Sequence, residues 1–180
     1  MLDQLLQKHK QIVLNLWYEQ VLATYPPEAR KFFRNQKNPF SNPVGNAISV
    51  NLSDIFECIL DGRDSAPEII SQFLDNIIRI RAVQEFSPSE ALSFVFGLKE
   101  AVREAIKDDL GPEELWRELL DWEKRIDRIA LLAFEVYSQC RETLFRIRVW
   151  EIRNSTDRLW ERICRKYGPP AELPESVHEE

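Results

Sequence analysis

Arg79-Ile-Arg-Ala-Val-Gln-Glu-Phe-Ser-Pro-Ser-Glu-Ala-Leu-Ser-Phe-Val-Phe-Gly-Leu-Lys-Glu-Ala-Val-Arg-Glu-Ala-Ile106 decides the fold. It closes one helix, turns, and opens another with a full set of start signals. Ser87 can cap the new helix, Pro88 suits its first position, and Glu90 completes a Ser-x-x-Glu capping box. Two apolar stripes follow at helical spacing. One is Leu92, Val95, Phe96, Val102 and Ile106; the other is Ala91, Phe94, Leu98, Ala101 and Ala105. A helix apolar over most of its circumference belongs in the middle of a domain, with other helices around it. The expected fold class is therefore all-α: a multi-helix globular bundle.

Composition agrees with that reading. The 180 residues suffice for one domain with a real core, and 44% hydrophobic with 30% charged residues is ordinary for a soluble globular chain. Only five glycines are present, too few for many tight turns, while ten prolines fall outside the periodic segments and punctuate them. Charge is uneven. The tail 168–180 has net charge −4, segment 141–167 has +4, and residues 1–140 have −6. A basic last helix on an acidic body is most simply a solvated face, so no nucleic-acid partner is expected. Cys58, Cys140 and Cys164 lack close spacing, no signal peptide opens the chain, and no run is long and apolar enough for a membrane span. A cytoplasmic protein with reduced thiols is expected.

Reading outward from the central stretch, residues 2–24 carry a stripe of Leu2, Leu5, Leu6, Ile12, Val13, Leu16, Trp17 and Val21. A short helix through Phe32 and Phe33 follows Tyr25-Pro26-Pro27-Glu28. Two Asn-Pro steps then turn the chain, and Asn42 is placed to cap a helix from Pro43 to about Leu60. Ser65-Ala-Pro-Glu68 reads as a second capping box before a helix over about 66–84. From Pro112 to Tyr167 there is neither Gly nor a further Pro. One straight helix of that length would extend about 84 Å, far beyond a compact domain of this size. The expectation is a first part packed on the body, through Leu115, Leu119, Trp122, Ile126, Ala130, Ala133 and Tyr137, and a second part that projects. The domain plan is then 1–140 as a helical body, 141–167 as a projecting helix, and 168–180 as an acidic tail. In the projecting part Phe145, Val149, Ile152, Thr156, Leu159 and Ile163 are spaced 4, 3, 4, 3 and 4, an a/d seam flanked by Trp150 and Trp160. Such a helix is marginal alone, and a second copy of the chain would supply its partner as a homodimeric coiled coil.

No catalytic constellation emerges. The two histidines are His9 and His178; Glu175 and His178 make one Glu-x-x-His spacing, in a proline-containing tail where a two-metal bundle would need a second such motif. There is no zinc-type cysteine pair and no phosphate loop, so neither an enzyme nor a bound cofactor or metal is expected. Lys99 lies within the central stripe, where it either binds an anion or sends its ammonium to the rim or to a carboxylate. Arg79 pairs naturally with Asp75, and Arg81 with Glu85. Cys140, beside Arg141, is a candidate redox-sensing thiol or a small buried hydrophobe. A pocket around Phe86, Phe94, Phe96 and Lys99 would suit a small-molecule-binding bundle.

Three stretches together resemble the RsbRD N-terminal domain, a stressosome-type sensor family. They are Asn38-Pro-Phe-Ser-Asn-Pro-Val-Gly45, Arg79 through Lys99, and Tyr137-Ser-Gln-Cys-Arg-Glu142. The resemblance implies an all-α regulatory module that dimerises and continues into a helical connector, with the better-known relatives resembling a globin without haem. It makes Arg81, Gln84, Phe86, Ser87, Phe94, Lys99 and Cys140 candidate pocket or signalling residues. Relatives carry a C-terminal STAS domain that docks a kinase. Here the chain ends in an acidic tail, so the sensor half is expected to act through a separate partner, either a STAS-type protein or a respiratory complex component. Stand-alone copies of the domain also resemble proteins linked with membrane redox complexes of anaerobic, sulfate-respiring bacteria. A small-molecule or cofactor-binding accessory protein of such a complex is the alternative.

Overall fold

Asn42 shows how local chemistry sets the chain's course. Its side-chain oxygen accepts from the Gly45 amide at 2.9 Å, and its nitrogen donates to the Phe33 and Gln36 carbonyls at 3.1 and 2.9 Å. One buried amide thus ends α2 and starts α3. A Cβ at Gly45 would collide with that amide, which accounts for glycine there. In this computed structural model residues 1–36, 38–84 and 86–168 are described. Among them run six α-helices: α1 Leu2–Ala23, α2 Pro27–Asn35, α3 Pro43–Leu60, α4 Pro67–Val83, α5 Pro88–Ala105 and α6 Glu113–Tyr167, with a 3-10 turn at Arg63–Ser65. No strand occurs among the described residues, so the all-α bundle is the fold.

The expected capping box at α5 is present, with Ser87 and Glu90 satisfying each other's backbone amides. The one expected at Ser65–Glu68 is absent. Ser65 is drawn into the 3-10 turn, where its hydroxyl donates to the Gly62 carbonyl at 3.3 Å, leaving Ala66 to precede α4 without a side-chain cap. The C-terminus of α1 is closed from outside: the Arg30 guanidinium donates to the Leu22, Ala23 and Tyr25 carbonyls at 3.2, 2.8 and 3.3 Å. A cation on exposed C-terminal carbonyls suits both hydrogen bonding and the helix dipole.

The chain divides into two compact units, Met1–Arg141 and Glu142–Glu180. In the first, α1 packs on α5 and α3, and α3 packs on α4. The α1 face is Leu2, Leu6, Val13, Trp17, Val21 and Leu22, while Ile12, expected in the stripe, is half exposed. On α5 the inward side holds Ala91, Phe94, Val95, Leu98, Ala101 and Val102, and Phe96 departs from expectation by facing outward. Residues of α6 up to Tyr137 complete the core, with Ile129 buried where Ala130 was expected. Polar ties hold the part of α6 that lies within this unit. Arg103 binds both oxygens of the buried Glu123 at 2.6 and 2.7 Å, and Arg125 joins Asp64 and the Ile59 carbonyl. Burial pushes the Asp64 carboxyl up, but Arg125 more than offsets this and holds it below the ordinary range.

In the second unit, residues 142–168 are described. The tail beyond, with Glu175 and His178, lies outside the described residues. Replacing Asn42 by Ala removes a buried cap bond and two partly buried hydrogen bonds. It is expected to lower unfolding free energy by about 2 kcal/mol, while Ala at the exposed neighbour Asn46 leaves it nearly unchanged; urea denaturation measures both.

Candidate functional site

On α4 the buried positions Ile70, Leu74, Ile77, Ile78 and Arg81 form one helical stripe. Four are aliphatic and the fifth is a guanidinium. Arg81 is fully buried at 0% exposure, the only Lys or Arg so placed among the described residues. Removing an unpaired cation from water costs several kcal/mol, so natural cores seldom hold one without a carboxylate. Here no carboxylate oxygen lies in hydrogen-bonding range among the described residues. Nη2 donates to the Thr24 hydroxyl at 3.0 Å and to the Glu90 carbonyl at 2.7 Å, whereas Nε and Nη1 have no hydrogen-bond acceptor within 3.5 Å among the described residues. The expected pairing of Arg81 with Glu85 lies outside the described residues.

Aromatic rings flank the guanidinium. The guanidinium carbon lies 4.4 Å from the Phe86 ring centroid and 5.6 Å from that of Tyr25. Both contacts are attractive because the ring faces carry negative potential. Tyr25 meets Phe86 and Phe33 edge-on, each at 5.2 Å, and its hydroxyl donates to Gln84 Oε1 at 3.1 Å. Tyr137 of α6 donates to the Phe86 carbonyl at 3.2 Å. Burial lowers the Arg81 pKa from its ordinary value, with Tyr25 and Glu90 opposing that shift. Burial likewise raises the Tyr25 hydroxyl, and Arg81 pulls it back. Glu90 is held below the ordinary glutamate range first by the Ser87 hydroxyl and then by the Ser87 amide. Its contribution to stability is therefore complete above the ordinary glutamate pKa and fades as pH falls through the lowered value.

An open groove of about 490 Å³ adjoins this cluster, lined by Thr24, Tyr25, Pro26, Ala29, Phe33, Gln84, Phe86 and Glu90, with Arg81 itself outside the lining. A second, of about 650 Å³, lies between α1 and α5, with Phe94, Phe96 and Gly97 in its wall. The structure thus brings Arg81, Gln84, Phe86 and Ser87 together and sets the other candidates apart. Phe94 belongs to the α1–α5 interface, where its ring stacks on Trp17 at 6.4 Å. Lys99 lines neither cavity and pairs with Asp127 at 2.6 Å, the rim arrangement its stripe position allowed. Cys140 is partly buried; burial pushes its thiol up despite Arg79 and Arg141, which disfavours the thiolate that redox sensing needs. Arg79 itself pairs with Asp75 as expected.

Tyr25 and Thr24 were not singled out by sequence. The register of the α4 stripe was the available signal, since it places Arg81 inward rather than on the helix surface. Among the described residues no group of His, Cys, Asp and Glu is arranged to hold a metal. No described helix is long and apolar enough to cross a membrane.

Residues 13–152 match the family described as the RsbT co-antagonist protein rsbRD N-terminal domain, and the chain belongs to that family, which is regulatory rather than enzymatic. No curated protein and no solved structure was found to match.

If Arg81 served only to hold the fold, removing it would be costly. Arg81→Met instead deletes a desolvated charge and keeps an apolar chain of similar reach. The variant is expected to match or exceed the parent's stability by about 1 kcal/mol. Thermal and urea denaturation would show it, and a large loss would mark Arg81 as a structural clamp.

Proposed function

We propose that the chain is a dimeric, non-enzymatic sensor or adaptor of the stressosome type, whose helical body receives an input and whose residues 142–167 form the output surface. The supporting observation is the state of the a/d seam. Phe145, Ile152, Leu159 and Ile163 are 67, 64, 57 and 48% exposed, and Trp150 and Trp160 beside them are more than half exposed. Large apolar side chains in a repeating row are an incomplete core. Knobs-into-holes packing against the same row of a second copy would cover them, with Phe145, Ile152 and Leu159 at d and Val149, Thr156 and Ile163 at a. Thr156 returns its hydroxyl to the Ile152 carbonyl at 2.9 Å, so it can enter such a seam without stranding a donor.

The flanks make the pairing sensitive to salt. Arg146, Arg148, Arg153 and Arg162 occupy e and g positions, and in a parallel pair Arg148 of one copy approaches Arg153 of the other. Arg146 is partly neutralised by Glu142 on its own helix. Like charges at these positions weaken association at low salt and are screened at high salt. A separate signalling protein would then read the paired helices, and an input that favours one pairing geometry over another would shift the populations.

Light scattering on the full chain is expected to show a dimer that tightens as ionic strength rises from about 0.05 to about 0.5 M. Ile152→Glu with Leu159→Glu is expected to give a monomer of unchanged helix content. A parent chain that stays monomeric throughout contradicts the reading. Association with a second protein that weakens as salt rises would point to an acidic partner helix instead.

A further inference from the structure

We propose that the groove between α1 and α5 binds a small organic ammonium compound with an apolar body, held at its charged end by Glu100. The groove, of about 650 Å³, has Leu92, Phe94, Phe96 and Phe134 among its apolar walls. Phe96 and Phe134 are 50 and 57% exposed, large rings left open to water. Exposed rings in a concave, mostly apolar site are what the hydrocarbon part of a ligand covers.

Charge decides which kind of ligand. No Lys, Arg or His belongs to the described lining, and Glu100 is its one charged side chain. The Glu100 carboxylate is exposed and makes no hydrogen bond or ion pair with a described residue. The cations nearest it in sequence are engaged elsewhere. Lys99 pairs with Asp127 at 2.6 Å, and Arg103, which senses the Glu100 charge, binds both oxygens of Glu123. Two lining hydroxyls are committed as donors within the protein: Thr24 donates to the Val21 carbonyl at 2.7 Å and Ser93 to the Glu90 carbonyl at 2.9 Å. An anion would meet a carboxylate here and no cation; an ammonium meets a carboxylate in want of a partner.

Spacing brings the charged and apolar parts together. Phe96 and Glu100 are four residues apart on α5, hence neighbours on one helix face. An ammonium bonded to Glu100 therefore lies within reach of the Phe96 ring, where cation–π attraction adds to the ion pair. Residues 1–140 carry net charge −6, a field that favours cations over anions at this surface. The occupant would serve as the input of the sensor proposed above. That role rests on the sensor reading, whereas binding is measured on the chain in any oligomeric state, so the two fail separately.

Titration calorimetry of the full chain with phenethylammonium, its neutral analogue 2-phenylethanol and the anion phenylacetate tests the assignment. Phenethylammonium is expected to bind one per chain, with the other two each at least about fivefold weaker. Glu100→Gln and Phe96→Ala alter exposed positions and are expected to leave the fold intact. Each is expected to weaken phenethylammonium binding about threefold to fivefold, while Glu68→Gln, at an exposed carboxylate on α4, leaves it unchanged. No saturable binding of phenethylammonium, equal binding of the alcohol or the anion, undiminished binding to either groove variant, or an equal loss from Glu68→Gln each overturns the proposal.

Discussion

The contact between α1 and α5 sets the positions on which everything at the candidate site relies. Trp17 is buried at its centre: its indole nitrogen donates to the Phe94 carbonyl at 2.6 Å and its ring stacks on that of Phe94. This fixes both the separation and the register of the two helices. Gly97 lies beneath the same indole, where an added Cβ would press on the Gln20 amide oxygen. With the helices so held, the end of α1 carries Thr24 and the start of α5 carries Glu90 to opposite sides of one point. Arg81 reaches that point from α4. Three elements distant in sequence converge on one guanidinium because a tryptophan elsewhere holds two of them in place.

The helices themselves were visible in the residues, for reasons that differ by element. Helix starts read correctly where a side chain caps its own helix, as at Asn42 and Ser87, because that chemistry is local. The reading failed at Ser65, where a competing 3-10 turn bonds the same hydroxyl to a different carbonyl. Stripe periodicity placed Trp17, Leu98 and Leu119 inside, but a stripe has edges, and tertiary packing alone decides which edge residue is covered. Ile12 and Phe96 fell on the exposed side of that decision. Lys99 was intelligible from the chain to the extent that it would find a carboxylate; that the carboxylate is Asp127 could not be read from spacing. The cage around Arg81 was least legible, since Tyr25 is 56 residues away from Arg81 in the sequence. The single clue was an arginine in phase with aliphatic neighbours.

Among the described residues, a core that buries a guanidinium with no carboxylate bonded to it gives up stability that an aliphatic side chain would keep. The same logic applies at the other unit, where exposed aromatic and aliphatic side chains persist along 145–163 against the ordinary pressure to hide them. Membership of the rsbRD N-terminal domain family places both features in a regulatory domain.

The pairing of like helices is the central claim, and site-directed cross-linking tests it most directly. With Cys140 and Cys164 replaced by Ser in the full chain, Thr156→Cys places a thiol at the seam and Glu161→Cys places one on the outer face. Mild oxidation is expected to give a covalent dimer rapidly from the first and slowly from the second, the signature of two parallel helices in register. Equal rates at the two positions, or no dimer from either, would contradict the account.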